Sequence, residues 1–188
     1  WDQEREGVVG GRDGLLWRDC GAQYRGCTHK HTGGIDQIAF VIQSIKESPF
    51  SRRHVISAWC PHTPAALPPC HVLYQFYVKD NKLSVQMYQR SADAFLGVPF
   101  NIASTALLTH LIAHECDLGV GTMRIVFGDL HVYASHVGVV RKQLQRVPRP
   151  FPTLTVEREK DGLWNLNTCD IHLQGYAPEA TLRAEMVV

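Results

Sequence analysis

Cys70 follows two prolines, and Arg90 and Ser91 close the stretch that runs on from it, "CHVLYQFYVKDNKLSVQMYQRSAD". A cysteine is a useful nucleophile only as its thiolate, and a nearby guanidinium favours that form. The same guanidinium can grip a phosphate through two parallel hydrogen bonds, with a serine hydroxyl as a further donor. A thiol beside such a set suits a phosphorylated substrate. The competing reading of these residues is a buried structural cysteine and an arginine in a surface ion pair. His71 adjoins Cys70, yet consecutive strand residues face opposite sides of a sheet, so a direct Cys–His pair is not expected. In "GDLHVY", His131 and Tyr133 sit two apart and share one strand face; they are either a polar pair that holds a hydroxyl or simply a half-exposed face. His29, His31, His54, His62 and His136 read as surface or packing residues rather than metal ligands.

The elements that must position these groups follow from the pattern around them. Residues 71 to 78 and 83 to 90 are both strand-like, and "KDNK" between them is a polar turn suited to a hairpin. If Val78 pairs with Leu83, facing residues have numbers that sum to about 161, which sets Cys70 opposite Ser91. Ile35, Ile38, Ile42 and Ile45 recur at helical spacing and predict an amphipathic helix over 35–46 that covers a sheet. His54 to Trp59 reads as a strand, with Arg52 and Arg53 at its entrance. Pro99 punctuates, Asn101 is the expected N-cap, and a buried helix runs through Ala113. "MRIVFGDLHVY" predicts a strand interrupted at Gly128, and "SHVGVVRKQLQRVPRP" a helix ended by proline. "LTVERE" and "GYAPEATLRAEMVV" are candidates for short strands near the end.

The 188 residues suit one domain, and 45% hydrophobic with 20% charged residues is the composition of a globular protein with its own core. No run of about 18 apolar residues suggests a membrane span. The 19 basic and 18 acidic side chains nearly cancel, so no global field draws in nucleic acid or an anionic membrane, and any anion site is local. Six cysteines without paired CxxC spacing and without a secretory segment argue against a disulfide framework or structural zinc. Reduced thiols in the cytoplasm are the expectation, with no metal.

"FSRRHVISAW", "ALPPCHVLYQFYV", "LSVQMYQRSADAFLGVPFNIAS" and "GDLHVYASH", in this order and at this spacing, resemble thymidylate synthase, and the resemblance runs from about Trp1 to Val188. It implies an α/β (α+β) domain around a large mixed β-sheet covered by helices, in a homodimer whose sheets pack against each other. It also implies that Cys70 attacks C6 of the uracil of dUMP, that the methylene of 5,10-methylenetetrahydrofolate passes to C5, and that hydride transfer from the folate gives dTMP and dihydrofolate. The catalytic set by resemblance is Cys70, Arg90, Asp93 and His71, the last as a supporting polar residue. Gln89, Arg90, Ser91, Asn101, His131 and Tyr133 match dUMP contacts, while Arg52 and Arg53 match the pair that reaches the partner's phosphate. Asn101 matches the uracil reader; an amide can offer a donor and an acceptor to that edge, which a cytosine edge would leave unpaired. Trp1, Asp93, Gly97 and the terminal Val188 match folate contacts.

The chain departs from the family pattern at Asp13, where "GGRDG" replaces a Gly-Pro-Val-Tyr-Gly segment and puts a carboxylate in place of a tyrosine that assists proton removal from C5. Thr105 stands where an aromatic is usual, and Ser135 where an asparagine is expected. The resemblance further implies an upstream part, with a phosphate-binding arginine and an active-site glutamate, that is not among these 188 residues. Two alternatives to dUMP methylation are therefore carried: a pyrimidine-nucleotide hydroxymethylase, which ends with water instead of hydride, and a non-catalytic nucleotide-binding domain of the same fold.

Overall fold

The computed structural model describes residues 12–23, 32–60, 68–157 and 162–187. Its centre is the hairpin of β2, His71–Lys79, and β3, Lys82–Asp93, which pair antiparallel. The turn is tighter than the four residues of "KDNK": only Asp80 and Asn81 lie between the strands, with φ of 50° and 55°. Two successive positive φ values give the primed turn whose twist matches that of the flanking strands, and Asn and Asp tolerate that region best after glycine.

β1, Val55–Ser57, pairs antiparallel with β2 on one side, and β4, Gly119–His131, runs parallel to β3 on the other, giving the order β1-β2-β3-β4. β1 is shorter than the expected span of 54–59. Its outer edge is met by the Gln37 side chain, which donates to Ser57 O at 2.8 Å and accepts from Ser57 N at 2.9 Å, doing for that residue what a further strand would. β4 runs unbroken through Gly128, where an interruption was expected. A Cβ at that position would stand 2.8 Å from Tyr88 Oη and 2.9 Å from Arg90 O, so glycine there permits close approach of β3.

α1, Arg12–Arg18, and α2, Gln37–Glu47, precede the sheet, and α3, Gly97–Glu115, makes the crossover between the parallel strands β3 and β4. α2 starts two residues later than its apolar spacing suggests, because Asp36 caps it: Asp36 Oδ1 accepts from Ala39 N at 3.0 Å. Ile35 is left to pair with Cys20 in an isolated bridge. α3 begins at Gly97, so Asn101 is an interior helical residue and not the N-cap. Pro99 sits within the first turn, where its missing N–H leaves no gap in the ladder.

One face of the sheet is covered. Ile38, Val41, Ile42 and Ile45 of α2 and Leu108, Ile112 and Ala113 of α3 pack on Ile56, Tyr74, Phe76, Val78, Leu83, Val85 and Met87. The opposite face leaves Tyr77, Tyr88 and Val126 exposed, with Tyr88 and Val126 paired in register. α4, Val137–Leu144, follows a single 3₁₀ turn. β5, Thr153–Val156, falls in "LTVERE" as expected and pairs with β6, Ile171–Gln174, which the sequence reading missed. Residues 176–187 hold no strand, contrary to expectation: Gly175 at φ 74° ends β6, and Pro178 lacks the N–H that a ladder needs.

Candidate active site

The open end of the β2–β3 hairpin carries the residues singled out by chemistry. Register follows the expected sum from Val78↔Leu83 to Leu73↔Tyr88, then shifts between Leu73 and His71, so that His71 pairs with Gln89. Cys70 consequently faces Arg90, one residue short of the expected Ser91, and Arg90 N donates to Cys70 O at 2.9 Å. The irregularity absorbs one residue, and the guanidinium meets the loop that precedes Cys70: Arg90 Nε donates to Pro69 O at 3.0 Å and Nη2 to Pro68 O at 2.6 Å. Arg90 also lies 5.9 Å from the Trp59 ring centroid. A guanidinium has five N–H donors, so two carbonyl contacts fix its position and leave donors for an anion.

Behind this pair, Gln89 is buried at 1% exposure, with its Nε2 donating to Ser91 O at 3.0 Å and to Asn101 Oδ1 at 2.9 Å. The amide of Asn101 is thus oriented by a residue on β3, and its backbone carbonyl accepts from Thr105 Oγ1 at 2.6 Å. Thr105 is fully buried, so the hydroxyl that stands in place of an aromatic braces the first turns of α3. Gly97 lies between Asn101 and Asp93: a Cβ there would be 3.7 Å from both Asn101 Oδ1 and Asp93 Cβ.

Asp93 ends β3 beside His131, the last residue of β4, and Ala94 N donates to His131 O at 2.9 Å. Asp93 Oδ1 accepts from Phe95 N at 3.0 Å. The rings of His131 and Tyr133 meet edge to face at 4.9 Å, although Tyr133 lies beyond the strand end rather than on its face. His131 Nδ1 stands 3.2 Å from Asp129 Oδ1. His71 joins an aromatic cluster, 5.6 Å from the Trp17 ring and 5.8 Å from Tyr74, with the register shift between His71 and Leu73 interrupting the alternation.

Two expected contributors are not brought to this edge. Arg52 and Arg53 are exposed at the entrance of β1, where Gln75 Nε2 donates to Arg52 O at 3.3 Å, five residues of β2, roughly 15 Å, from Cys70. No arginine spans that distance within one chain. Trp1 and Val188 lie outside the described residues, as does the side chain of Asp13, while Ser135 is exposed in the turn before α4. Sequence reasoning read His136 as a surface or packing residue; it is fully buried, and it stands 3.7 Å from Asp93 Oδ1. Its spacing from His131 gives no strand or helix signal that would have marked it.

The thiols differ in setting. Cys116 is held within the core interface between α2 and α3, where burial pushes its pKa up to about 11, far from a reactive form. Cys70 is only partly buried, at the edge that holds Arg90. Among the described residues no group of three His, Cys, Asp or Glu is placed to hold a metal ion, and no helix is long and apolar enough to cross a membrane.

The family model of thymidylate synthase matches residues 1–188, the full length of the chain. The chain belongs to the thymidylate synthase family. Its four-stranded mixed sheet flanked by helices is that expected of a thymidylate synthase, a family of methyltransferases whose cosubstrate is methylenetetrahydrofolate. Cys70, Arg90, Gln89, Asn101, Gly97 and Asp93 lie together at one end of this sheet.

Proposed function

We propose that this chain is a thymidylate synthase that methylates dUMP, with Cys70 as the nucleophile. The observation that carries the reading is the chain of contacts from Cys70 through Arg90 and Gln89 to Asn101, which sets a thiol, a cation and a uracil-reading amide along one edge. Cys70 adds to C6 of the uracil, and the electron pair displaced to C5 forms the new bond to carbon. Arg90 and Ser91 hold the phosphate, while Asn101 pairs with N3–H and O4 and spreads the developing enolate charge. His131 and Tyr133 take the deoxyribose hydroxyl. Asp93 and Gly97 shape the folate side, where the cosubstrate supplies one methylene and then one hydride. Loss of the C5 proton expels the folate nitrogen from that methylene, and the hydride then reduces the exposed carbon as the thiol leaves C6, giving dTMP and dihydrofolate. The same reading puts the protein in the cytoplasm, with no nucleic acid or membrane as partner.

The assignment requires a second copy. Arg52 and Arg53 are too far from their own Cys70, and the uncovered sheet face with Tyr77, Tyr88 and Val126 is an apolar surface of the kind that packs in a homodimer. In that arrangement the two arginines serve the partner's phosphate.

Incubation with 5-fluoro-dUMP and methylenetetrahydrofolate, followed by intact-mass spectrometry, tests the proposal. Fluorine at C5 cannot leave as a proton, so a competent site traps nucleotide and folate together on Cys70, and Cys70→Ser traps neither. Folded wild-type protein without adduct would sink the reading in favour of a non-catalytic nucleotide-binding domain. Product analysis with dUMP separates methylation from hydroxymethylation, by dihydrofolate on one side and tetrahydrofolate on the other.

A further inference from the structure

The His136 ring is fully buried and wedged between aromatic neighbours, 5.8 Å from Phe95 and 5.4 Å from Tyr133 by ring centroid. Its two nitrogens meet different parts of the chain. Nε2 lies 2.7 Å from the carbonyl of Glu185, near the end of the described residues, and Nδ1 lies 3.7 Å from Asp93 Oδ1. A carbonyl only accepts, so Nε2 carries a proton and donates it to Glu185. Nδ1 has no hydrogen-bond partner, and 3.7 Å is beyond hydrogen-bonding distance. A buried polar atom left this way is costly, and a shift of about half an ångström toward Asp93 brings the pair to the edge of hydrogen-bonding distance.

We propose that His136 is a positioning residue that ties the C-terminal segment to Asp93, so that seating of residues 183–187 and the aim of the Asp93 carboxylate are set together. Other anchors hold the segment farther back: Arg149 pairs with Glu179 at 2.6 Å, and Arg146 donates to Ala180 O. His136 is the contact that carries it to the folate side. With Asp93 Oδ1 engaged by Phe95 N and the imidazole, the other carboxylate oxygen is the one offered to a donor on the folate. This role of Asp93 rests on the function proposed above.

The test compares wild type, His136→Phe and His136→Gln. Phenylalanine keeps the ring volume and removes both nitrogens, whereas glutamine keeps an N–H that reaches the Glu185 carbonyl. Amide hydrogen exchange of residues 183–187 in ligand-free protein should accelerate about tenfold in His136→Phe and recover toward wild type in His136→Gln. The KM for methylenetetrahydrofolate should rise about tenfold in His136→Phe, with the Kd for dUMP within twofold of wild type. Unchanged tail exchange in a folded phenylalanine variant overturns the inference, and so do equal losses of dUMP and folate affinity, which would mark a merely structural residue. If His136→Phe does not fold, His136→Gln with unchanged folate KM but accelerated tail exchange equally overturns it. Failure of wild type to trap the fluoronucleotide and folate would defeat the proposed function instead, and tail exchange would still decide whether His136 anchors the segment.

Discussion

At the Asp80–Asn81 end of the β2–β3 hairpin the strands keep one register and bury Val78, Leu83 and Val85, whereas at the Cys70–Asp93 end the register slips and Gln89 and His136 lie in the interior. The β2–β3 pairing at the closed end follows the local rules, with a primed turn of two positive-φ residues and strict alternation, and Gly119 N donates to Asn81 O at 2.9 Å; an irregularity there lies instead between β3 and β4, at Leu83 to Val85. The open end breaks several. Gln89 Oε1 and His136 Nδ1 are buried without a hydrogen-bond partner, each at a cost of about 1–3 kcal/mol. A fold tolerates such defects where a ligand is to be met and offsets them with a regular core elsewhere. Substitutions at the two ends should therefore separate chemistry from stability.

The largest separation is expected from Cys70→Ser, which should lower kcat on the order of 10³-fold or more while leaving the thermal midpoint within about 2 °C. Steady-state kinetics beside a melting curve checks it, and a matching fall in stability would mean that Cys70 is a packing residue after all. The converse comes from Phe76→Ala, in the middle of the hairpin at 1% exposure. Removing that ring should cost about 3–5 kcal/mol by denaturant titration, and whatever protein stays folded should still trap the fluoronucleotide at wild-type stoichiometry.

Smaller changes sharpen the contrast. Asn81→Val forces a β-branched residue to φ 55° and should cost about 1–2 kcal/mol of stability with kcat/KM unchanged. Gln89→Met at the open end should do the reverse. It removes the donor to Asn101 and also the unsatisfied Oε1, so stability should hold while the KM for dUMP rises about tenfold. If Gln89→Met lost stability and kept its KM, the idea that β3 aims the uracil-reading amide would fail.

What could be read from the sequence divides along the same line. The closed end was legible because alternation and turn composition act over a few residues: the pairing of Val78 with Leu83 follows from counting alone. Local periodicity likewise marked α2 and β5. The register shift at Val72 was not legible, since nothing in "CHVLY" distinguishes a residue that pairs from one that bulges. It moved Cys70 from Ser91 to Arg90. His136 and Thr105 were missed as site residues for a related reason. The role of His136 depends on Asp93 and Glu185, contacts between segments that no short window contains, and that of Thr105 on the carbonyl of Asn101, whose place beside Gln89 is set by packing of α3 on β3. The positions of Arg52 and Arg53 show the limit from the other side. Their distance from Cys70 follows from the pairing of β1 with β2, which "FSRRHVISAW" alone does not supply.

The smallest expected effect belongs to the closed end and reads out in pH. Glu115, at the end of α3, accepts from Lys46 Nζ on α2 at 2.7 Å with one oxygen and from Leu163 N at 2.7 Å with the other. Burial pulls its pKa up, but the hydrogen bonds from Lys46 and Leu163 and the lysine's charge together outweigh it, so the carboxyl titrates below its usual range. A carboxyl whose folded-state pKa is depressed contributes stability above its unfolded value, and that contribution is lost as pH falls through the folded value. Lys46 behaves in the opposite sense. Its hydrogen bond to Glu115 raises its pKa against the pull of desolvation, so its share is present at neutral pH and lost only when strong alkali removes the proton. Because Lys46 is about half exposed, solvent screens the pair, and Glu115→Gln should cost only about 0.5–1 kcal/mol at pH 7. At pH 3, below the ordinary carboxylate value, the contribution of Glu115 is shrinking, and the gap between wild type and variant should narrow. Urea midpoints at the two pH values measure this, and an equal gap at both would show that the clasp works through shape and not through charge.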